Sequence, residues 1–305
     1  MTILIIGNKG QLGWALERSA ENNHIKTIGV DLPELDMTRA KAINQLVARE
    51  RWTAVINAAA YTAVDKAESD ADTAFAVNRD GVAHLAEACR EQNFPLIHIS
   101  TDYVFNGTGT SPYTPDDPID PLGIYGQSKA DGEKALRERL DRHLIIRTSW
   151  LYGIHGNNFV KTMLRLARER KELRIVADQY GCPTYAGDLA EAIIKIIKQG
   201  LKNHASPWGT VHYCNRGIVS WHQLAQQAIQ SASRYEKFRV EKIVPIKTDE
   251  YPTPAPRPAY SALDCTRFSA SFGIETVDWK DSLDRMIDGL YDQKHRENCE
   301  YHTNG

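Results

Sequence analysis

The chain has 305 residues, of which 42% are hydrophobic and 25% charged, and a formal net charge of −2. Such a length suits one large or two interleaved domains with an ample core. A near-neutral balance without long basic runs leaves a nucleic-acid or membrane-surface role without electrostatic support, and no stretch approaches the ~20 apolar residues of a membrane helix.

The pattern opens on Ile3–Ile6, which reads as a buried parallel strand ending at Gly7, followed by a helix over 11–21. Ile25–Val30 reads as a second strand, ending at Asp31. Thr38 is placed to cap a helix running to about Arg51. A third strand at Ala54–Ile56, a long helix over 71–92, a fourth strand at Leu96–Ile99, a helix from about Gly126 to Leu140 and a strand at Leu144–Ile146 follow. This alternation predicts an α/β fold with a Rossmann-type, doubly wound parallel sheet. The second half is less regular. A helix is expected over 157–170, a strand at Arg174–Ala177 and a strongly amphipathic helix over 187–199, while the proline-rich stretch Tyr251 to Pro258 is a loop. The expected division is a dinucleotide-binding unit at 1–150 with returning segments around 174–200. A smaller, interleaved substrate unit takes about 151–173 and 201–293, and 294–305 is a frayed polar tail.

Cys89, Cys182, Cys214, Cys265 and Cys299 include no CxxC pair. Neither a disulfide framework nor a zinc site is expected, and a reducing cytoplasm fits. The first apolar run is too short for a signal peptide and lacks a basic flank.

Gly7-Asn8-Lys9-Gly10-Gln11-Leu12-Gly13 is a GxxGxxG run between a strand and a helix. In that context glycines let the backbone turn tightly and approach a pyrophosphate, which the helix N-terminus receives with unpaired N–H groups. Gly13 allows close helix–strand packing. Asp31, at the end of the second strand, is placed to bind adenosine ribose hydroxyls and to repel a 2′-phosphate; it also suits a turn cap. Asp36 and Met37, further along the loop, are within reach of adenine. Asn57-Ala58-Ala59-Ala60 follows the third strand, and its small residues let a cofactor lie against the backbone.

Tyr125-Gly126-Gln127-Ser128-Lys129 is a YxxxK run. On a helix its first and last members share a face. A tyrosine with a pKa of about 10 beside a lysine ammonium is expected to move toward neutrality and to protonate a carbonyl oxygen as hydride arrives at carbon. Ser100-Thr101 ends the fourth strand, where sheets of this kind bind ligands. The Thr101 hydroxyl is placed either to assist Tyr125 or to cap a turn.

Together Gly7, Gly10, Gly13, Thr101 and Tyr125–Lys129 resemble the extended short-chain dehydrogenase/reductases. Longer stretches are similar to the dTDP-4-dehydrorhamnose reductase family within them: Asn57 to Glu68, Ser100 to Phe105, Arg147 to Trp150, Gly156 to Phe159, Asp178 to Thr184, and Arg257-Pro258. The resemblance implies an enzyme that uses NADPH or NADH to reduce the C4 keto group of a dTDP-linked sugar. It implies that Gly10, Gln11 and Leu12 meet the pyrophosphate, Asp31 the ribose, and Asp36 and Met37 the adenine. Ala58, Ala59, Ala60, Tyr61, Thr62 and Ser100 would border the cofactor. Tyr125 would be the acid and Lys129 would orient it. Thr101, Asp102, Tyr103, Trp150 and Arg257 would contact substrate, Arg257 through its diphosphate. Some relatives dimerise through a magnesium held partly by a glutamate just after the phosphate loop; Ala15 stands there, so no metal is expected, and a monomer and a homodimer stay open. Sugar-nucleotide dehydratases carry Thr-Asp-Glu where this chain has Thr101-Asp102-Tyr103. Three further functions stay open on the same scaffold: an NAD(P)-dependent reductase of another nucleotide sugar, a sugar-nucleotide epimerase, and a non-catalytic regulatory subunit resembling that of methionine adenosyltransferase.

Overall fold

The computed structural model describes residues 1–201 and 207–303, with side chains to residue 293. The first half runs β1 (Thr2–Ile6), α1 (Gln11–Asn22), β2 (Lys26–Val30), α2 (Ala40–Val47), β3 (Ala54–Asn57), α3 (Val64–Ala67), α4 (Ala71–Phe75), α5 (Gly81–Glu91), β4 (Leu96–Thr101), α6 (Ile124–Arg139) and β5 (His143–Thr148). The second half adds β6 (Leu151–Tyr152), α7 (Phe159–Glu169), β7 (Glu172–Val176), β8 (Tyr180–Gly181), β9 (Thr184–Tyr185), α8 (Ala186–Gln199), β10 (Gly209–His212), β11 (Val219–Ser220), α9 (Trp221–Ala232), β12 (Lys242–Ile246), α10 (Thr266–Phe272) and α11 (Trp279–Thr303).

Six parallel strands form the main sheet in the order β10-β5-β4-β3-β1-β2. The chain reverses direction across the sheet between β1 and β3, and a crevice opens at the carboxyl ends of strands on either side of such a reversal. Strand β1 is apolar without alternation because both its faces are covered. Ile3 and Ile5 join Leu16 of α1 and Leu189 and Ile193 of α8 on one side. Leu4 and Ile6 join Ile43 of α2 and Val82 and Leu85 of α5 on the other. Each such side chain contributes about 1.5–3 kcal/mol by leaving water. Ala15 lies in the first of these cores.

The structure departs from the expected division at two points. Glu172–Val176 does not return to the main sheet; it pairs in parallel with β12 over a separate core of α7, α9 and α11. The sixth sheet strand is instead β10, inside the stretch assigned to the second unit. Gly-Thr-Val-His is too short and too polar to announce a strand, and its place comes from parallel pairing with β5. Helix α8 does pack on α1, as the returning segment required.

Local details also differ. Thr38 is not the cap of α2: Arg39 occupies that position without a side-chain cap bond, and the Thr38 hydroxyl donates to Asp36 Oδ1 at 2.7 Å. The helix expected over 71–92 runs without interruption over 71–91 but widens into a π-helical turn at Ala76–Asp80. The backbone of the polar tail continues α11 to Thr303, and residues 304–305 lie outside the described residues.

Candidate active site

A cleft of about 820 Å³ opens along the carboxyl ends of β1, β3 and β4. Its walls carry Gly7, Gly10, Gln11, Leu12, Asp31, Asp36, Met37, Ala58, Ala59, Ala60, Tyr61, Thr62, Ser100, Thr101, Asp102, Tyr103, Tyr125, Lys129 and Trp150. Gly13 and Arg257 are the two expected site residues that do not line it.

Gly13 works from behind. A Cβ there would stand 2.1 Å from the Gly7 carbonyl oxygen, so only glycine lets α1 approach the loop this closely. Gly7 itself has φ +85°, and a Cβ on it would meet the Ala59 nitrogen at 2.5 Å. The N-cap Gly10 has no side chain to bond the first turn of α1, so that turn keeps open N–H donors and the positive end of its dipole. This cradle suits a phosphate. Asp31 closes one end: its carboxylate accepts from the Lys9 backbone N–H at 3.2 Å and the Leu32 N–H at 2.7 Å. Lys9 was not anticipated; it also lines the cleft, and its ammonium reaches Glu34 at 2.9 Å. Asp36 is folded into a turn by Thr38, whose backbone and hydroxyl donors hold its carboxyl below the usual range.

The π-helical turn has a structural use. Asn78, buried within it, accepts from the Tyr61 N–H at 2.9 Å and donates to the Tyr61 carbonyl at 3.1 Å. It also donates to the Ser128 hydroxyl at 3.0 Å. One side chain thereby ties the loop after β3 to α6. No local pattern marks Asn78, because its partners are distant in sequence.

Tyr125 and Lys129 share a face of α6 as expected. The Lys129 side chain is buried, and its ammonium donates to the Ile99 carbonyl at 2.7 Å and lies 3.4 Å from His98 Nε2. Burial pushes it down to about 8, against the opposing pull of the Glu133 carboxylate. The expectation that Lys129 brings the phenol toward neutrality is not met. Burial pushes Tyr125 up to about 12, a hydrogen bond with Thr101 acts the other way, and the Asp102 carboxylate adds to the rise. The lysine nitrogen is directed at β4, so its charge is spent there. Tyr103 packs edge-on to the Tyr125 ring, with centroids 5.5 Å apart.

Thr101 caps a turn, one of the two roles open to it. Its hydroxyl accepts from the Tyr103 N–H at 3.2 Å, capping the turn after β4, and donates to Asp102 Oδ1 at 3.1 Å; it lines the cleft together with Tyr125. Asp102 is buried, and burial raises its carboxyl to about 6 although Thr101 donates to Oδ1 at 3.1 Å and Ser261 acts the same way; Oδ2 has no hydrogen-bond partner. Ser100 lines the cleft, but its hydroxyl is turned to Glu133 at 2.6 Å, so its hydrogen-bonding capacity serves the buried network rather than a ligand.

On the far wall Trp150 has φ +48°. A bulky residue held in the left-handed region costs about 1–3 kcal/mol and persists only where its surroundings over-determine it. Its indole stacks on Trp221, with centroids 3.5 Å apart and planes 8° off parallel, and Trp221 also lines the cleft. Trp221 was missed because nothing near it in sequence signals a ligand. Arg257 is committed elsewhere. Its guanidinium pairs with Asp65 of α3 at 2.8 Å and donates to the Ala255 carbonyl at 2.9 Å.

Comparison with known proteins agrees with this geometry. The family described as RmlD substrate binding domain matches residues 1–292. A dTDP-4-dehydrorhamnose reductase from Aggregatibacter actinomycetemcomitans is 41% identical over 283 residues, 92% of this chain and 96% of that protein. The crystal structure of a dTDP-4-dehydrorhamnose reductase from Clostridium acetobutylicum superposes with a TM-score of 0.89 at 37% identity, covering 95% of this chain and all of that one. That of Bacillus anthracis, in complex with NADP, gives 0.88 at 36% identity over 94% of this chain and 99% of its own. With a phosphate cradle, a tyrosine–lysine pair and full-length similarity in one chain, this protein belongs to the RmlD family of dTDP-4-dehydrorhamnose reductases.

Proposed function

We propose that this chain catalyses the NAD(P)H-dependent reduction of the C4 keto group of dTDP-4-dehydro-6-deoxy-L-mannose to dTDP-L-rhamnose. The observation that carries the reading is the convergence of Tyr125, Thr101 and Lys129 in the same cleft as the bare N-terminus of α1. The cradle fits a dinucleotide: Gly7 leaves room beside Ala59, α1 offers its first N–H groups to the pyrophosphate, and Asp31 stands where a ribose would lie. When bound, the reduced cofactor supplies the hydride.

The remaining chemistry belongs to this chain's own residues. Tyr125 is the acid. A phenol raised to about 12 is fully protonated at neutral pH, the form that reduction requires, since the carbonyl oxygen must gain a proton as its carbon gains hydride. Thr101, once its O–H turns from Asp102, donates to the substrate oxygen beside the phenol and steadies the charge developing there. Lys129 orients the cofactor side of the cleft. Asp102 contacts the sugar, and Trp150, supported by Trp221, packs against it.

Absorbance of NADPH and NADH followed with freshly generated 4-keto-rhamnose nucleotide tests the reading. One reduced cofactor should be consumed per sugar. Conversion without net consumption would point to an epimerase or dehydratase, and no turnover to a non-catalytic subunit. Tyr125→Phe should lower kcat about 10²–10⁴-fold, the span of acid–base catalysis, with cofactor affinity nearly unchanged.

A further inference from the structure

Behind Lys129 lies a line of buried polar side chains that the mechanism leaves unused. Asn57, at the end of β3, and His98, in β4, are both wholly buried. Asn57 Nδ2 lies 3.1 Å from His98 Nδ1, and His98 Nε2 lies 3.4 Å from Lys129 Nζ.

The direction of this line follows from one backbone contact. Asn57 Oδ1 accepts the Ala59 N–H at 3.1 Å, so the amide oxygen is fixed and the amide nitrogen faces the histidine. That nitrogen can only donate. His98 Nδ1 must therefore accept, and in a neutral imidazole the proton then resides on Nε2. Nε2–H points at the Lys129 nitrogen. An ammonium is also a donor only, so with Lys129 charged two donors face one another. With Lys129 neutral, its lone pair accepts from Nε2–H while the amine still donates to the Ile99 carbonyl at 2.7 Å.

We propose that Asn57 and His98 are positioning residues for Lys129: the locked amide selects the Nε2–H tautomer of His98, and that tautomer favours the neutral amine and places it.

The charged surroundings agree. His98 is held well below its ordinary range by burial first, then by Lys129, His143 of β5 and Arg137 of α6, so it stays a neutral imidazole. Lys129 faces Glu133 and Tyr125 on its own helix and His98 on β4. Of these, Glu133 favours the ammonium, but its carboxylate is shared among Arg147 of β5, Arg137 and Ser100. The consequence is a lysine that gives up a proton at low cost.

This inference rests on the reductase reading, but its first test does not. Two-bond ¹H–¹⁵N spectra of the intact protein labelled with ¹⁵N-histidine report the tautomer directly. His98 should show a protonated Nε2 and a bare Nδ1; a protonated Nδ1, or an imidazolium at neutral pH, overturns the proposal even if reduction is intact. Asn57→Asp supplies the second test. Its carboxylate can accept from both Ala59 N–H and a His98 Nδ1–H, which turns the Nε2 lone pair toward Lys129. The spectrum should switch tautomer. The limb of the kcat/KM pH profile that belongs to Lys129 should move up by about one pH unit or more, a tenfold change in its acid constant. Asn57→Ala frees the tautomer without adding charge and should move the limb the same way. A merely structural role would lower the amplitude and leave the limb in place, and that result overturns the proposal.

Discussion

Glu133 and Arg147 form a two-pronged ion pair sealed from solvent: Arg147 Nε and Nη2 donate to the two carboxylate oxygens at 2.9 and 2.7 Å. Arg137 adds a third donor at 2.6 Å and Ser100 a fourth, also at 2.6 Å. Burial alone would raise the Glu133 carboxyl; these donors outweigh it and leave the group lowered. The pair locks α6, which carries Tyr125 and Lys129, to β4 and β5.

Breaking the pair from one side leaves a buried guanidinium uncompensated, at a cost of about 3–5 kcal/mol. Glu133→Gln should lose stability on that scale in urea unfolding. A loss below about 1 kcal/mol would mean that Arg147 finds another partner and that the network does not hold α6.

Gly13→Ala should injure the cofactor cradle without touching a ligand. The new methyl would stand 2.1 Å from the Gly7 oxygen and 2.5 Å from Asn8 Cα, both backbone, so the loop or α1 must move. Overpacking of this kind costs about 1–3 kcal/mol, and dinucleotide affinity should fall at least about tenfold by fluorescence titration. Unchanged affinity would show that the loop tolerates displacement.

Asp102 has a pH signature. Burial raises its carboxyl from 3.8 to about 6, so the folded state binds this proton more tightly than the unfolded state. Its contribution favours folding below about 4 and is lost as pH rises through about 6. Against Asp102→Asn, the wild type should therefore lose ground by a few kcal/mol between pH 4 and 7, since a tenfold difference in proton affinity is worth about 1.4 kcal/mol. A constant difference across that window would show that the carboxylate is fully compensated when charged.

Asp31→Ala should move cofactor choice toward NADPH. The carboxylate sits at the end of β2 and a 2′-phosphate there meets its charge; at about 4 Å near a surface such a repulsion is worth a few kcal/mol before salt screening. The ratio of kcat/KM for NADPH over NADH should rise about tenfold or more. An unmoved ratio would place the ribose elsewhere, with Lys9 the next residue to change.

The chain's local patterns were sufficient for the sheet's first five strands, the phosphate loop and the YxxxK helix. Each is a short-range matter: an apolar run before a glycine turn, or two side chains one helical turn apart, carries its geometry in the spacing itself. What folding alone decided are pairings between residues far apart in sequence. Trp221 lies under Trp150, Arg257 is claimed by Asp65, β10 completes the sheet while β7 leaves it, and Asn78 ties the loop after β3 to α6. The Tyr125 phenol belongs with these, because its upward shift comes from the protein packed around it rather than from the lysine one turn along. Spacing sets which side chains share a face; only packing sets which are stripped of water and which partner each one finds.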